Sequence, residues 1–284
     1  MTLCLGLIGL GRMGRGLTQR WCEAGIRVHG VDLDPAQRTA FAALGGVPAA
    51  DVGEMIAALP PPRLVWCMLP AGNTTRTQIA ELARRLAPGD LVVDGANGNY
   101  RDALEHHQKL GAAGIDFADA GVSGGVWGAR LGFCLMLGGS AAAISRLQPF
   151  VVPLAATGGI QHCGPAGAGH YVKMIHNGIE YGLMQAYAEC FSLLGEQAPF
   201  VIDRAAVAAV WQNGSVVRSW LLDLIGQALA ADPDLSTIAP YVEDSGHGRG
   251  TVTAAIEQGI PAPVLGAALN ARFASRGGAD YAAK

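Results

Sequence analysis

Charge is scarce in this chain. Asp, Glu, Lys and Arg make up 15% of its 284 residues, against about 25% in ordinary soluble domains. A disordered chain needs charge and lacks apolar residues. Here half the residues are hydrophobic, so disorder is excluded. A net charge of −3 removes the electrostatic case for nucleic acid as a partner. The six cysteines, Cys4, Cys22, Cys67, Cys134, Cys163 and Cys190, form no CxxC pair. That argues against a secreted disulfide framework. No His/Cys cluster has metal-ligand spacing, so no metal is expected. No apolar run reaches the roughly 18 residues of a membrane span, and no basic stretch precedes the N-terminal apolar run. No membrane partner or signal peptide is therefore expected, and the chain reads as cytoplasmic with reduced thiols. Repeats and low-complexity linkers are lacking too. What is abundant is glycine, 40 residues, about twice the usual share. With no Gly-X-Y period, it must serve turns and close backbone approaches.

The length suggests about two domains. In the first half, short apolar runs at 3–9, 28–32, 64–69, 91–94, 115–120 and 133–137 alternate with amphipathic stretches such as 73–86 and 100–113. Strands separated by helices imply βαβ crossovers, and continuous apolar strands fit a sheet covered on both faces. From 166 to 198 apolar residues recur at helical spacing without proline, predicting one long helix. Further helices are predicted at 199–211, 216–230, 238–244 and 261–275. The expected fold class is α/β, an N-terminal Rossmann-type, mostly parallel sheet (1–164) with a C-terminal all-α domain (165–284).

Gly9-Leu10-Gly11-Arg12-Met13-Gly14 follows the first strand and opens a helix. Such a loop needs a tight turn, bare backbone against a pyrophosphate, and close helix–strand packing. The helix N-terminus adds amides and partial positive charge. The second strand ends at Asp32, where an acidic side chain binds both ribose hydroxyls and repels a 2′-phosphate. NAD is thus expected over NADP. Alternatively, Asp32 or Asp34 merely caps the helix beginning at Pro35, a role that suits Asp34 better.

A second pattern lies in 167–182, GAGHYVKMIHNGIEYG. At about 100° per residue, His176, Glu180, Lys173, Asn177 and Tyr181 share one arc, while Ile175 and Ile179 lie opposite. A solvated face is the ordinary explanation, but the segment is otherwise small and apolar. Lysine is also rare: Lys109, Lys173 and Lys284 stand against 17 arginines. Burial lowers a lysine pKa, and of the two cations only lysine then acts as a base near neutrality. Glu180 would supply a carboxylic acid.

With these residues the chain resembles the decarboxylating 6-phosphogluconate dehydrogenases, within the β-hydroxyacid dehydrogenase superfamily. The matching pieces are GLGRMG (9–14), MLPAG (68–72), DGANGNYRD (94–102), AGVSGG (120–125), GAGHYVKMIHNGIEYG (167–182), DSGHGRGTVTAAIEQGIPAP (244–263) and ARFASR (271–276). The resemblance implies oxidative decarboxylation of 6-phosphogluconate to ribulose 5-phosphate with reduction of NAD, a step of the pentose phosphate pathway and gluconate utilisation. It implies Lys173 as base, Glu180 as acid and Asn177 beside them. Leu69, Pro70, Ala71 and Asn97 would join Gly9, Gly11, Arg12, Met13, Gly14 and Asp32 around the cofactor. Asn97, Ser123, Gly124, Gly125, His176 and Asn177 would hold the sugar acid, and Tyr181, Arg249, Thr251 and Arg272 its phosphate. Long members carry Gly-Lys-Trp-Thr where Gly248-Arg249-Gly250-Thr251 stands, and arginine can bind phosphate bidentately. NADP-using members place Asn-Arg-Thr at Asp32-Leu33-Asp34.

Two other readings are open. A 3-hydroxyisobutyrate or tartronate semialdehyde type of dehydrogenase would oxidise without decarboxylating, and such enzymes lack Glu180. A nucleotide-sensing binding module would have lost the stripe. His106 and His107 are expected at the surface, and a homo-oligomer, dimer or tetramer, is expected from the apolar helices.

Overall fold

The computed structural model describes residues 2–195 and 197–277. The chain divides into two compact units, Met1–Lys173 and Met174–Lys284.

The first unit is built on a sheet of β1 (Cys4–Ile8), β2 (Arg27–Val31), β3 (Val47–Pro48), β4 (Leu64–Cys67), β5 (Leu91–Asp94), β6 (Asp116–Ser123), β7 (Phe133–Gly139) and β8 (Ala155–Gly164). Their order is β3-β2-β1-β4-β5-β6-β7-β8. All neighbours are parallel except β6 and β7, which pair antiparallel. The strand order switches between β1 and β4, and in open parallel sheets ligands bind at such a switch point. Crossovers run through α1 (Arg12–Glu23), α2 (Pro35–Ala43), α3 (Val52–Ala57), α4 (Asn73–Arg85) and α5 (Tyr100–Gly111). The short α6 (Gly128–Leu131) joins β6 to β7, and α7 (Ala141–Val151) leads to β8.

Strand side chains alternate between two cores, as the period of two requires. Leu5, Leu7, Trp66 and Val93 enter one with Trp21 and Phe41. Ile8, Val65, Cys67 and Val92 enter the other with Ile79 and Leu82. Both faces are covered, which is why these strands read as unbroken apolar runs. Strands β3 and β8 were not expected. The first is two residues long, and AATGGIQHCG in the second carries a Gly-Gly pair and one β-branched aliphatic, a poor strand signal.

Helix α8 (Ala168–Leu193) is the expected long helix and crosses the boundary between the units. The second unit continues with α9 (Arg204–Trp211), α10 (Trp220–Ala231), α11 (His247–Glu257) and α12 (Pro263–Ala274). Its cores are small, one around Tyr187, Phe191, Leu222 and Leu229 and one around Tyr181, Ala268 and Leu269. The helix expected at 238–244 is absent, and the segment is irregular. Pro240 explains this, since it donates no amide and disfavours helical geometry in the residue before it. Conversely α11 (His247–Glu257) forms where the sequence predicts no helix. A β-carbon at Gly248 would collide with the Tyr181 ring, and one at Gly250 would lie 2.8 Å from Met174 Sδ. No helix among the described residues is long and apolar enough to cross a membrane.

Candidate functional site

The glycine loop joins β1 to α1. Gly9 has φ +94°, and a β-carbon there would strike the Met68 carbonyl. One at Gly14 would strike the Gly9 carbonyl, whereas one at Gly11 would meet nothing within 4 Å. The first and third glycines therefore serve packing, and the middle one leaves the turn open. Gly11 caps α1 without a side-chain hydrogen bond, and no acidic residue occupies the first turn. The leading amides of α1 thus face an open cradle suited to a pyrophosphate. Arg12 is exposed, and Met13 packs on the core, leaving its backbone for a ligand. Asp32 accepts from Leu10 N through Oδ2 (2.7 Å) and from Asp34 N through Oδ1 (2.9 Å). Its carboxylate is held at the loop, while Asp34 caps α2 by accepting from Ala36 N. The capping role thus falls to Asp34, as suits it better in the sequence. These features fit a dinucleotide.

Leu69, Pro70 and Ala71 follow β4 and lead into α4, where Thr75 Oγ1 donates to Pro70 O at 2.8 Å. A β-carbon at Gly9 would lie 3.2 Å from Leu69, and one at Gly98 3.9 Å from Ala71. The loops after β1, β4 and β5 therefore adjoin.

Asn97 lies in the loop after β5 with φ +52°. Its Nδ2 donates to Val122 O at 3.0 Å, and its Oδ1 accepts from Val122 N at 2.8 Å. This pair of hydrogen bonds to the β6 backbone sets Asn97 beside Ser123, the last residue of β6. Gly124 and Gly125 follow with φ +122° and +50°, a turn few other residues adopt.

Lys173 is only 5% exposed. Helix α8 reaches the sheet closely because β6 offers glycine beneath it: a β-carbon at Gly121 would lie 2.5 Å from Lys173 Cβ and 2.8 Å from Gly169 O. Exposure along the helix is the reverse of a solvated stripe, with Lys173 and Tyr181 buried while Ile179 is 59% exposed. Asn177 and His176 are half-buried, and His176 Nδ1 lies 3.0 Å from Asn177 Oδ1 and 4.0 Å from Glu180 Oε2. Glu180 is partly exposed rather than fully desolvated, its side chain 38% accessible.

In the second unit the Arg272 guanidinium stacks 3.4 Å from the Tyr181 ring centroid. Tyr181 Oη lies 3.1 Å from Ser245 Oγ, which meets His247 Nδ1 at 2.9 Å. Thr251 Oγ1 donates to Met174 O at 2.8 Å, and its methyl sits where a β-carbon at Gly178 would fall. Arg249 pairs with the buried carboxylate of Asp244, 3.0 Å away. The structure thus gathers Tyr181 and Arg272, engages the Thr251 hydroxyl internally, and holds Arg249 by an acid.

Several residues escaped sequence reasoning. Asp119, fully buried on β6, accepts from Gly167 N at 2.6 Å and His170 N at 2.7 Å. It caps the start of α8 from another element, and an acid inside an apolar strand was the available signal. His106 corrects an expectation: it is 4% exposed, with Nδ1 3.2 Å from Asp94 Oδ2. It lies on the inner face of α5 with Ala103 and Leu110, whereas His107 is exposed as expected. Burial alone would push the Asp94 carboxyl up, yet the His170 charge, the His106 hydrogen bond and the Ala96 amide outweigh it and hold it below the usual range. Its contribution to stability is accordingly present above about pH 4 and lost as pH falls through the lowered folded-state value. Asp94→Asn is expected to cost about 2 kcal/mol at pH 7, and urea unfolding should show the deficit narrowing below pH 4. A deficit independent of pH would refute this linkage.

Burial pushes up the thiols of Cys4, Cys22, Cys67 and Cys163. No group of three or more potential metal ligands occurs among the described residues.

Sheet order and glycine loop define a dinucleotide-binding protein of Rossmann type with a helical C-terminal part. Family models narrow this. Residues 4–164 match the NAD binding domain of 6-phosphogluconate dehydrogenase, and residues 169–282 match the 6-phosphogluconate dehydrogenase C-terminal domain. The chain belongs to the 6-phosphogluconate dehydrogenase family. It is 42% identical over 275 residues to the NAD(+)-dependent, decarboxylating 6-phosphogluconate dehydrogenase of Haloferax volcanii, covering 96% of this chain and 90% of that one. Among solved structures it resembles Plasmodium falciparum 6-phosphogluconate dehydrogenase, studied with NADP+ and with 6-phosphogluconate, at TM-score 0.85 and 29% identity. That match covers 95% of this chain but 62% of the longer one. Mycobacterium tuberculosis 3-hydroxyisobutyrate dehydrogenase matches at TM-score 0.75 and 25% identity, covering 99% and 94%.

Proposed function

We propose that this protein oxidises and decarboxylates 6-phosphogluconate to ribulose 5-phosphate and CO2, reducing NAD. The observation that carries the reading is the inverted burial of α8, which sequesters an amine at Lys173 while leaving Ile179 exposed. A solvated stripe would show the opposite.

In this reading residues 1–164 hold the dinucleotide, with the α1 amides on its pyrophosphate and Asp32 on its ribose. Residues 165–284 bind the sugar phosphate and make the subunit contacts. Bound NAD supplies the acceptor for the hydride from C3 of the substrate. Lys173 takes the proton of the C3 hydroxyl as that hydride departs. The 3-keto acid then loses CO2, the electrons of the broken C1–C2 bond passing toward the C3 oxygen, to which protonated Lys173 donates. Glu180 protonates the enediol carbon that becomes C1 of the product. A β-keto acid needs one cationic donor for this step. Asn97, held on Val122, and the Ser123-Gly124-Gly125 turn offer polar groups to the carboxylate and hydroxyls, and His176 and Asn177 would add theirs. Tyr181, Arg249, Thr251 and Arg272 would meet the phosphate.

NAD rather than NADP follows from Asp32, whose carboxylate sits at the glycine loop and would repel a 2′-phosphate. The proposal includes a cytoplasmic homo-oligomer: all six cysteines are free thiols, and Ile179, Leu183 and Leu193 leave an exposed apolar face on α8 suited to a second subunit.

Turnover of 6-phosphogluconate with NAD and with NADP, reading reduced cofactor and CO2 together, tests the reading. Equal reduced cofactor and CO2, with NAD preferred, is expected. Hydride transfer without CO2 would instead indicate a non-decarboxylating β-hydroxyacid dehydrogenase. Glu180→Gln should lower kcat about 100-fold while KM for 6-phosphogluconate changes little, and an unchanged kcat would remove its acid role.

A further inference from the structure

The first turn of α8 is tied to the sheet twice. Asp119 accepts two of its amides. The second tie is a side chain, His170, whose Nε2 lies 3.1 Å from Asp94 O. A carbonyl only accepts, so Nε2 carries a proton. The other ring nitrogen, Nδ1, is buried with no hydrogen-bond partner among the described residues, and the residue is 1% exposed. An unpaired buried polar atom costs about 1–3 kcal/mol, so filling space does not account for an imidazole here. Its bond to Asp94 does.

Asp94 leads directly to the Asn97 turn. Ala96 N donates to Asp94 Oδ1 at 3.0 Å, His106 holds Oδ2, and Asn97 closes onto both backbone groups of Val122. Val122 adjoins Gly121, over which Lys173 Cβ is seated. Lys173 lies one turn after His170 on the same helix. The path from His170 through Asp94, Asn97, Val122 and Gly121 to Lys173 therefore closes on itself.

We propose that His170 is a positioning residue, its Nε2–H bond to Asp94 O fixing the Asn97 turn relative to the Lys173 amine. This rests on reading Lys173 as the base. A misplacement of about 1 Å at such a site can cost about 100-fold in rate.

The test compares His170→Ala, His170→Asn and His170→Gln in the full-length protein. Glutamine can place an amide N–H near the position of Nε2, whereas asparagine reaches only the position of Nδ1. In His170→Ala and His170→Asn, kcat with 6-phosphogluconate should fall about 10- to 100-fold with KM for NAD nearly unchanged. Exchange of the Val122 amide proton, held by Asn97 Oδ1, should quicken. His170→Gln should recover most of both. A kcat in His170→Ala within about twofold of wild type, or equal losses in the glutamine and asparagine variants, would overturn the proposal. If the alanine variant does not fold, the other two decide it. Should the wild type not turn over 6-phosphogluconate, the functional reading fails, and Val122 exchange in the glutamine and asparagine variants still decides the tether.

Discussion

Replacing Lys173 with alanine is expected to lower kcat by at least about 1,000-fold while NAD still binds. The size follows from two roles placed on one amine. General-base removal of the hydroxyl proton contributes about 10²–10⁴-fold, and in the proposed reaction the same nitrogen would also return a proton during loss of CO2. The Asp119 carboxylate on the adjacent β6 surface is engaged by two helix amides, and the tethered Asn97 amide is no base. Lys173→Arg should fail almost as fully, since a guanidinium does not deprotonate near neutrality. Dinucleotide affinity should persist, because the glycine loop and Asp32 sit on β1, α1 and β2, with their own hydrogen bonds. Stopped-flow reduction of NAD together with equilibrium binding checks both halves. Turnover within about tenfold of wild type would dismiss Lys173 as the base.

The second large effect concerns stability. Asp119→Ala strips the acceptor from two amides, Gly167 N and His170 N, in a place without solvent. Each stranded donor costs about 1–3 kcal/mol, so a total loss of about 2–5 kcal/mol is expected. The carboxylate also faces the positive end of α8, which adds to the penalty. Asp119→Asn keeps one acceptor oxygen and should lose less. Denaturant unfolding of both variants provides the measurement. Equal, small losses of under about 1 kcal/mol would show that the helix start has another anchor. The β6 Asp thereby secures the turn from which Lys173, the proposed base, projects.

The sheet was legible because its strands are wrapped on both faces, and burial writes itself as unbroken apolar runs such as LVWC and LVVD. The glycine loop was legible for a related reason: collisions at Gly9 and Gly14 allow no side chain, so a packing demand becomes a sequence pattern. The polar arc on α8 was legible as a period, and the burial of Lys173 and Tyr181 then separated it from a solvated face. Sequence periodicity failed where a partner from elsewhere supplies the stabilisation. Helix α11 carries glycines that suit the Tyr181 ring rather than helix propensity, and β8 holds its place by pairing with β7 despite a weak strand signal.

Local patterns thus determined the class of fold, the dinucleotide loop and the residues on one arc of α8, because each depends on neighbours within a few positions. The tertiary structure alone decided that Asp119 caps a helix 48 residues away and that Asn97 is pinned to Val122. It also decided that His106 and His170 flank Asp94 in the interior. These contacts join different strands and helices, and no period along a chain encodes which distant carbonyl or carboxylate a buried donor will meet.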